Sequence, residues 1–503
     1  MLKPPSKGPI DLGFVKSKPD ARAIRTPTQL SAAFSSEPPT ICILALSPIA
    51  DDPRVRRQAE AFHCAGWKVV AVGTPGAKSR PPEWPILTRD VPPTDSGKLH
   101  DGPIPTQNLQ LISPAGLRSG IKQWLVRQFW NAQKFLPANE SQWQGAEMRI
   151  KRYIGGAHSF VAQLRRRLVS AVALLRSLAV RVRPELALRI YWKWSSIHEI
   201  YNYAQRVNAG FWLANDWITL PIAALLAREK GGLYGYDTHE FAVEEYSENP
   251  KWWLLQRPTV RAIERKFIGN AAVVSAVSSG IADRLQKIYR LPRPILTIRN
   301  TPVFEEVPFR PTRRDAIQVL YHGIVVPNRG IETTIDSVAL WRPEITLTIR
   351  GPVNPAFSSV LRERISALEL EHRVRFAPPI PMTELVREAA LFDVGLFALP
   401  GHSRHNEFAL PNKFFEYVMA GLALCTTDLP EMGRLIREYD LGVTIAAVES
   451  TAIAAAVNAL DPDRIDQFKR NALAAARELC WERESQRLCA AYTAARSEFL
   501  QQL

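Results

Sequence analysis

The repeated alternation of short apolar strands with helices restricts the fold of this sequence more than any other feature. Residues 39–73 contain the strand ICILAL, a helix whose apolar or small side chains recur at helical spacing, and the strand WKVVAVG. A strand–helix–strand unit of this length predicts neighbouring parallel strands. The same alternation returns over residues 210–300 and again from residue 317 onward. The sequence therefore predicts an α/β protein with two parallel sheets.

Local changes in amino-acid composition mark domain boundaries in this chain of 503 residues, which is long enough for more than one domain. Residues 1–37 are rich in Pro, Ser, Lys and Arg, and we expect them to form a disordered tail. Residues 301–316 contain three prolines and no clear periodicity, which is typical of a linker between domains. We thus expect a first α/β domain over residues 38–300 and a second over residues 317–480.

The positive charge is concentrated in one segment. The formal net charge is +15, and residues 117–194 contain 15 Lys or Arg against 3 acidic residues. This segment has a helical, aromatic-rich pattern and forms a predicted basic insertion at about residues 115–200 of the first domain. Basic helices with Trp and Leu are typical of an anionic membrane surface, which we expect as a partner. An ordinary insertion with a solvated basic face is the other interpretation. Nucleic acid is not expected, because RNP, KH and zinc-finger patterns are missing from the sequence.

Several features of the sequence predict a cytoplasmic protein. The first residues lack the apolar core of a signal peptide, and the longest apolar stretch, Leu168–Val182, is interrupted by Arg176 and is too short to span a bilayer. The five cysteines show no CxxC pair and no metal-ligand spacing, so buried free thiols in a reducing compartment are expected. Together with the basic segment, this predicts a peripheral position on the inner membrane face.

Polar residues stand at the ends of successive strands in the first domain. They are Asn215 and Asp216, His239 and Glu240, Ser278 and Ser279, and Asn300. The carboxyl ends of parallel strands meet at one sheet edge, where ligands bind in open α/β sheets. The loop after the first strand holds Asp52 and Arg54 near a helix start, and we expect it to face the same edge.

In the second domain, two stretches suggest an anion site. Gly323–Gly330, GIVVPNRG, is a strand-to-helix turn with Arg329 before the helix, and Arg suits bidentate phosphate contact. Asn406–Ile436 contains the step Pro411-Asn412-Lys413 at a helix start, followed by an apolar run whose only charge is Glu416. Two helix starts and one Arg can hold a diphosphate, with Glu416 accepting from a ribose. The alternative is a buried helix in which Glu416 is salt-bridged.

With these motifs the chain resembles GT-B fold glycosyltransferases of family 4, the retaining, glycogen-synthase-like group. The resemblance covers about residues 39–76 and 211–492, and ALPNKFFEYVMAGLALCTTDLPEM is its most specific motif. It implies two Rossmann-like parallel-sheet domains facing a cleft, with the basic segment outside the common pattern. We also expect the last helix, over residues 481–503, to pack back on the first domain.

The resemblance also implies roles for individual residues of the second domain. Arg329 takes the place of the basic residue that holds the donor diphosphate, and Glu416 corresponds to the second Glu of a Glu-x7-Glu motif, which binds the donor ribose. The position of the first Glu is Phe408, so either Glu407 serves through a shift of the loop or the sugar is held otherwise. The remaining donor-binding residues would be Gly323, Ala409, Leu410, Pro411, Asn412 and Lys413.

In the first domain, the resemblance places His239 near the reacting sugar. His239, Arg329 and Glu407 are then the predicted catalytic residues. Asp52, Arg54, Asp216 and Glu240 are expected on the acceptor side of the cleft.

The implied function is transfer of a sugar from a nucleotide-diphosphate sugar to a glycan or lipid-linked acceptor. Retention of configuration and a role in cell-surface polysaccharide or glycoconjugate synthesis are expected, with no cofactor and no required metal. The Asp461-Pro462-Asp463 triplet reads as a turn, since Pro favours one there. Two alternatives stay open: a GT-B sugar-nucleotide 2-epimerase and a non-catalytic, membrane-associated GT-B scaffold.

Overall fold

The computed structural model describes residues 38–74, 76, 79–87 and 170–502. They form two α/β domains, each built on one parallel sheet, so the α/β class and the two-sheet architecture are confirmed. The expected tail over residues 1–37 and the part of the basic segment from 117 to 169 lie outside the described residues.

The N-terminal sheet has seven strands in the order β3-β2-β1-β4-β5-β6-β7. The interior strand β1 is buried on both faces over its first six residues and pairs with β2 and β4, so that Ile43 lies beside Ala71 and Leu213. A continuous apolar run is what a strand covered by helices on both sides requires. The strands are β1 (Thr40–Pro48), β2 (Lys68–Thr74), β3 (Ile86–Leu87), β4 (Phe211–Asn215), β5 (Leu233–Asp237), β6 (Val273–Ala276) and β7 (Leu296–Thr297).

Helices cover both faces of this sheet. Residues 170–182 are helical and pack on the helix at Pro250–Leu255, where Ser177 Oγ donates to the carbonyl of Leu254. The other helices are α1 (Pro53–Cys64), α2 (Leu186–Tyr191), α3 (Ser195–Ala204), α4 (Asp216–Lys230), α5 (Pro250–Leu255), α6 (Arg257–Phe267) and α7 (Ser279–Tyr289).

The C-terminal sheet has six strands in the order β10-β9-β8-β11-β12-β13. They are β8 (Ile317–His322), β9 (Ile345–Arg350), β10 (Val374–Ala377), β11 (Val394–Phe397), β12 (Ala423–Thr427) and β13 (Gly442–Ile445). The helices are α8 (Ile331–Val338), α9 (Pro355–Ala367), α10 (Leu385–Ala389), α11 (Arg404–Glu407), α12 (Asn412–Met419), α13 (Pro430–Tyr439), α14 (Ser450–Asn458), α15 (Pro462–Ala476) and α16 (Trp481–Gln501). One continuous core unites the sheet with these helices, except α11 and α16, which contribute no residue to it.

The last helix, α16, returns to the N-terminal domain. Trp481, Leu488 and Tyr492 belong to the hydrophobic cluster beneath β1. The approach is close: a Cβ atom on Gly235 in β5 would lie 2.1 Å from the Tyr492 hydroxyl. The buried carboxylate of Glu484 also accepts from Arg299, at 2.6 Å from its Nε. The chain thus crosses between the domains twice, once through the linker and once through α16.

Candidate active site

On the N-terminal side, Asp216 and His239 follow β4 and β5 and meet between the two strand ends. The His239 Nδ1 lies 3.7 Å from Asp216 Oδ2. Both residues have left-handed backbones, with φ values of 63° and 50°. Such a conformation is strained for a residue other than glycine and persists where the surrounding structure enforces it. Two strained residues in contact at a parallel-sheet edge mark this point as a candidate site.

The charges around His239 determine its protonation. Burial lowers its pKa, but the hydrogen bond and charge of Asp216, with the charges of Glu240 and Asp52, outweigh that effect and raise the pKa of His239 to about 10. The imidazole is therefore a cation at neutral pH, and both of its nitrogens carry a proton that can be donated to a ligand. Burial also raises the pKa of Asp216, against the opposing effect of His239.

Glu240 links the two domains across the cleft. Its carboxylate lies 2.9 Å from the Nε2 of His405 in the C-terminal domain. Burial raises the pKa of Glu240, but the charges of His405, His239 and Arg329 lower it to about 2. Burial lowers the pKa of His405, and Glu240 more than reverses this, so the pKa of His405 is raised. Each partner thus stabilises the charged form of the other, and the pair closes this part of the cleft.

On the C-terminal side, the loop Gly323–Gly330 lies tightly against its neighbours because glycine occupies its two ends. Gly323 and Gly330 have φ values of 120° and 74°. A Cβ atom on Gly330 would lie 2.0 Å from the carbonyl oxygen of Ala398, at the end of β11. Only glycine combines this backbone with this approach. Arg329, just before α8, is exposed, and its charge reaches the cleft, since it influences Glu240 and Lys413.

Two helices begin beside this loop without side-chain caps. The residues that precede α8 and α12 are Gly330 and Pro411, and neither provides a capping hydrogen bond. Their first N–H groups are therefore available to an anion, and the helix dipoles favour one. Pro411 precedes the helix, whereas the sequence suggested a place in its first turn. Asn412 and Lys413 form the first turn of α12, and the backbone of Ala409 and Leu410 leads into it.

Lys413 is a poorly solvated cation at this helix start. Its Nζ lies 4.2 Å from the ring centroids of both Tyr321 and Phe397. A Cβ atom on Gly323 would lie 2.8 Å from the same nitrogen, so the glycine makes room for it. Burial and the nearby charge of Arg329 lower the pKa of Lys413 to about 7, although Glu416 opposes the shift. An anionic ligand here would restore the proton.

Glu416 is partnered by a residue that the sequence analysis did not select. Its Oε2 lies 2.8 Å from the Nε2 of His322, the last residue of β8. Burial raises the pKa of Glu416, but His322, Arg57 and Lys413 lower it below its ordinary value. Arg57 comes from the N-terminal domain, where its guanidinium donates to Asn300 at 3.0 Å. The position of His322 at a strand end was the available signal, the same one that identified Asn300 and His239.

The prediction that Arg54 faces the acceptor is wrong. Its side chain is fully buried, and its Nε and Nη2 donate to Asp237 at 2.5 and 2.6 Å while Nη1 donates to the carbonyl of Ile298. Asp237, the last residue of β5, is fully buried, and the Arg54 guanidinium compensates its negative charge. Asp52 caps α1, accepting from the backbone nitrogens of Arg54 and Val55 at 3.0 and 3.2 Å. Its charge still influences His239.

Among the described residues, no contact joins Glu407 to His239 or Arg329, the other predicted catalytic residues. Its carboxylate is 4.0 Å from Arg284 on α7. Phe408, at the position where the resemblance expected a Glu, packs into the core of the N-terminal domain. Ser278 Oγ donates to the Phe408 carbonyl at 2.8 Å, and a Cβ atom on Gly280 would lie 2.3 Å from the ring. The loop is thus shaped by contact between domains, which turns Glu407 toward α7.

A buried carboxylate fixes the same interface. Glu431, on α13 of the C-terminal domain, accepts from the backbone nitrogen of Gly280 at 2.6 Å and from Ser279 Oγ at 3.0 Å. It thereby caps α7 of the other domain. Phe408 and Glu431 each contact α7, and these contacts between the domains keep the two sheet edges facing each other.

The Asp461-Pro462-Asp463 triplet has a structural role. Asp461 caps α15 by accepting from the backbone nitrogen of Arg464 at 2.9 Å, and Asp463 pairs with Arg314 at 2.8 Å. Within residues 38–74, 76, 79–87 and 170–502, no group of three or more His, Cys, Asp or Glu side chains is placed to hold a metal ion.

Two Rossmann-like domains with their ligand-binding sheet edges facing each other define the GT-B fold. Residues 316–462 match the family model "Glycosyl transferases group 1". The comparison with curated proteins gives no significant match. The chain thus has the GT-B fold, and the similarity of its C-terminal domain to glycosyl transferases group 1 supports a glycosyltransferase enzyme.

Solved structures agree on the fold over nearly the whole chain. Sucrose-phosphate synthase from Thermosynechococcus elongatus superposes with a TM-score of 0.58 at 14% identity, covering 92% of this chain and 100% of the other. Anabaena HepE, solved with UDP and glucose, gives 0.54 at 12% identity, covering 90% and 99%. The lipopolysaccharide outer core galactosyltransferase WaaB gives 0.51 at 11% identity, covering 90% and 99%.

Proposed function

We propose that the protein transfers a sugar, with retention, from a nucleotide-diphosphate sugar to a glycan or lipid-linked acceptor in cell-surface polysaccharide or glycoconjugate synthesis. One observation carries this proposal. Arg329, Lys413 and two uncapped helix starts converge beside Glu416, across the cleft from the cationic His239. HepE, a relative in fold, was solved with UDP and glucose, which supports a nucleotide-sugar donor.

In this proposal the donor diphosphate occupies the first turns of α8 and α12. Glu416, already held in its ionised form by His322, accepts hydrogen bonds from the ribose hydroxyls. Arg329 and a reprotonated Lys413 neutralise the diphosphate. These groups lie in place before the reaction, so they stabilise charge without reorganising.

The chemical step breaks the bond between the anomeric carbon and the diphosphate oxygen, and the electron pair leaves with the diphosphate. The acceptor oxygen then bonds to the same face of that carbon, and its proton passes to the leaving phosphate. His239 is a cation at neutral pH, so it acts as a hydrogen-bond donor to the sugar or the leaving group and not as a general base.

The test of the donor is a thermal-shift screen with UDP, GDP and ADP sugars. A ligand that binds the native state raises the unfolding midpoint, so the sugar with the largest shift identifies the donor. Glu416→Ala should lose both the shift and turnover, whereas the exposed Glu438→Ala should keep them. A wild-type chain that responds to none of these sugars would overturn the donor assignment. A Glu416→Ala variant that keeps full activity would remove the assigned role of Glu416.

For the acceptor, we propose a peripheral position on the inner membrane face. The helix at 170–182 exposes Leu175 and Val182 to 66% and 81%, and the neighbouring α5 exposes Trp253 to 43%. Arg181 and Arg257 lie over the Trp253 ring at 5.4 and 5.5 Å. An exposed aromatic between cations is typical of a membrane interface. Among the described helices, none is long and apolar enough to cross a membrane.

Sedimentation with vesicles of anionic and of zwitterionic lipid tests this position. We expect binding to the anionic vesicles, and Leu175→Glu should reduce it strongly. The matched control is Leu391→Glu, whose side chain is also exposed, at 50%, but lies in the C-terminal domain. Equal sedimentation of the wild-type chain with both lipids, or equal binding by Leu175→Glu, would contradict the proposal.

A further inference from the structure

A cavity of about 520 Å³ lies where α7 of the N-terminal domain faces α11 and Phe408 of the C-terminal domain. Three apolar side chains and three basic ones line it: Phe241, Ile288 and Phe408, and Arg284, Lys287 and Arg404. Because both domains supply walls, the shape of the cavity depends on how the two domains are placed. It is separate from the helix starts assigned to the donor.

The basic side chains of the cavity are available to an anion. Among the described residues, Lys287 and the guanidinium of Arg404 have no ion pair. Arg284 lies over the Phe408 ring at 4.4 Å and reaches Glu407 only at 4.0 Å. Two unpaired cations and a loosely paired third, held beside three apolar side chains, match a ligand with an anionic end and an apolar end.

Two acidic side chains also line the cavity. The Glu244 carboxylate forms an ion pair with Arg257 through its Oε1. Arg257 also donates to the Val243 carbonyl at 2.8 Å. Asp283 is exposed on α7. The basic side chains of the cavity therefore outnumber its acidic side chains that have no ion-pair partner among the described residues. The net local charge is positive and favours an anionic ligand.

The cavity adjoins both the catalytic cleft and the exposed Trp253 surface. Phe241 directly follows Glu240, and Arg404 directly precedes His405. Glu240 and His405 form the pair that closes the cleft. On the other side, Glu244 contacts Arg257, whose guanidinium lies over Trp253. A molecule in this cavity would lie between a lipid-facing surface and the reacting groups.

We infer that this cavity binds an amphipathic phosphate, with the phosphoryl group on Arg284, Lys287 and Arg404 and the apolar part against Phe241, Ile288 and Phe408. This inference rests on the proposed function and deepens it: the acceptor is carried on a lipid phosphate. The placement of the two domains shapes the cavity, so acceptor binding and this placement favour each other.

Isothermal titration of the full chain with dihexanoyl phosphatidic acid, kept below its micelle concentration, tests the inference. The comparison ligands are inorganic phosphate, which lacks the apolar part, and dihexanoyl phosphatidylcholine, whose phosphate is masked. We expect phosphatidic acid to bind at least about tenfold more tightly than either, since charged hydrogen bonds and apolar burial each contribute. Equal binding of inorganic phosphate would show a site for free phosphate and overturn the inference.

Substitutions locate the binding. Lys287→Gln and Arg404→Gln should each weaken phosphatidic acid binding by about tenfold. The matched controls Lys68→Gln on β2 and Arg375→Gln on β10 alter exposed basic residues that do not line the cavity and should leave the affinity unchanged. Ile288→Ser should weaken phosphatidic acid binding but not inorganic phosphate binding. Unchanged affinity in both basic variants would refute the assignment.

Binding of the donor nucleotide is measured in parallel. The Lys287 and Arg404 variants should retain it, because neither residue lies at the α8 or α12 helix start. A wild-type chain that binds the donor nucleotide but not phosphatidic acid overturns this inference alone. A wild-type chain that binds no nucleotide overturns the proposed function instead.

Discussion

Each domain has a buried acid–base pair at a strand end, and the two pairs differ in how many partners the carboxylate has. Asp237 ends β5 and accepts four hydrogen bonds: two from Arg54, one from Gln58 at 2.9 Å and one from Ser275 at 2.7 Å. His322 ends β8, and among the described residues its pair with Glu416 is the one polar contact of the Glu416 carboxylate. Both side chains of the first pair are fully buried, whereas Glu416 is 12% exposed.

The difference separates a structural pair from a binding one. A saturated carboxylate with no exposed surface has no remaining lone pair for a ligand, so Arg54 and Asp237 hold β5 against α1. Glu416 is ionised, oriented by one partner and still open on one side. Such a group can accept from ribose hydroxyls without first breaking a contact.

The largest expected effect comes from breaking the saturated pair. Arg54→Met leaves the buried Asp237 carboxylate without its cation, and we expect the free energy of unfolding to fall by about 3–5 kcal/mol. Urea unfolding followed by circular dichroism measures it. The control is Arg313→Met, which removes the exposed pair with Asp315 and should leave the unfolding curve nearly unchanged, because solvent screens that pair. An equal loss in both variants would mean that burial and saturation do not distinguish the pairs.

The open pair should show the opposite pattern. Glu416→Gln keeps the shape of the side chain but removes its charge, so we expect nucleotide-sugar affinity to fall by about ten- to a hundredfold. The free energy of unfolding should change by less than about 1 kcal/mol, because the amide oxygen of Gln can still accept from His322. Titration calorimetry and urea unfolding measure the two quantities. Glu438→Gln, in an exposed pair with Arg434, is the matched control.

This contrast also shows how far the sequence could predict the molecule. Local alternation of apolar runs predicted both parallel sheets, because the side-chain period of strands and helices is visible over ten residues. It identified the strand ends and the helix start at Pro411. It could not show that Arg54 turns inward, since both orientations give the same pattern at the first turn of a helix.

Long-range partners escaped the sequence analysis for a related reason. His322 and Glu416 are 94 positions apart, and Arg57 meets Asn300 across 243 positions. Nothing local specifies such pairs. Phe408 likewise gave no signal that it would enter the other domain and turn Glu407 toward Arg284. Periodicity in the sequence predicted the strands and helices of the site. The contact partners of its side chains are set by the tertiary fold.

Lys413 extends this comparison, because it is a cation without a hydrogen-bonded carboxylate among the described residues and its charge acts on Glu416 of the Glu416–His322 pair. Its pKa of about 7 should rise when a diphosphate binds, so binding at pH 8 should take up close to one proton, and binding at pH 6 almost none. Above pH 7 the affinity for the nucleotide sugar should fall by up to about tenfold per pH unit. Calorimetry in buffers of different ionisation enthalpy measures the uptake.

Lys413→Met should abolish this proton uptake and flatten the pH dependence, whereas Lys251→Met, at an exposed position, should retain both. Proton uptake that survives in Lys413→Met would assign the titration to another group. Uptake that is missing from the wild-type chain would contradict the lowered pKa of Lys413.

The smallest expected effect concerns Asp216 and His239, which are partly exposed. The pKa of His239 is raised to about 10 from an ordinary value near 6.5, so the pair stabilises the fold fully below pH 6.5 and loses that contribution as the pH rises through 10. Asp216→Asn should therefore destabilise the protein more at pH 6 than at pH 10. Because the Asp216 side chain is 41% exposed, the difference should stay within about 1 kcal/mol.

Asp216→Gly separates the charge from the backbone at this position. Asn tolerates the left-handed conformation about as well as Asp, so Asp216→Asn removes the charge alone, whereas glycine also relieves the strain at a φ of 63°. Urea unfolding across the pH range should show the same pH slope for both variants, with Asp216→Gly more stable throughout. A parallel loss at all pH values in Asp216→Asn would show that the pair acts through packing. Asp216 would then be as structural as Asp237.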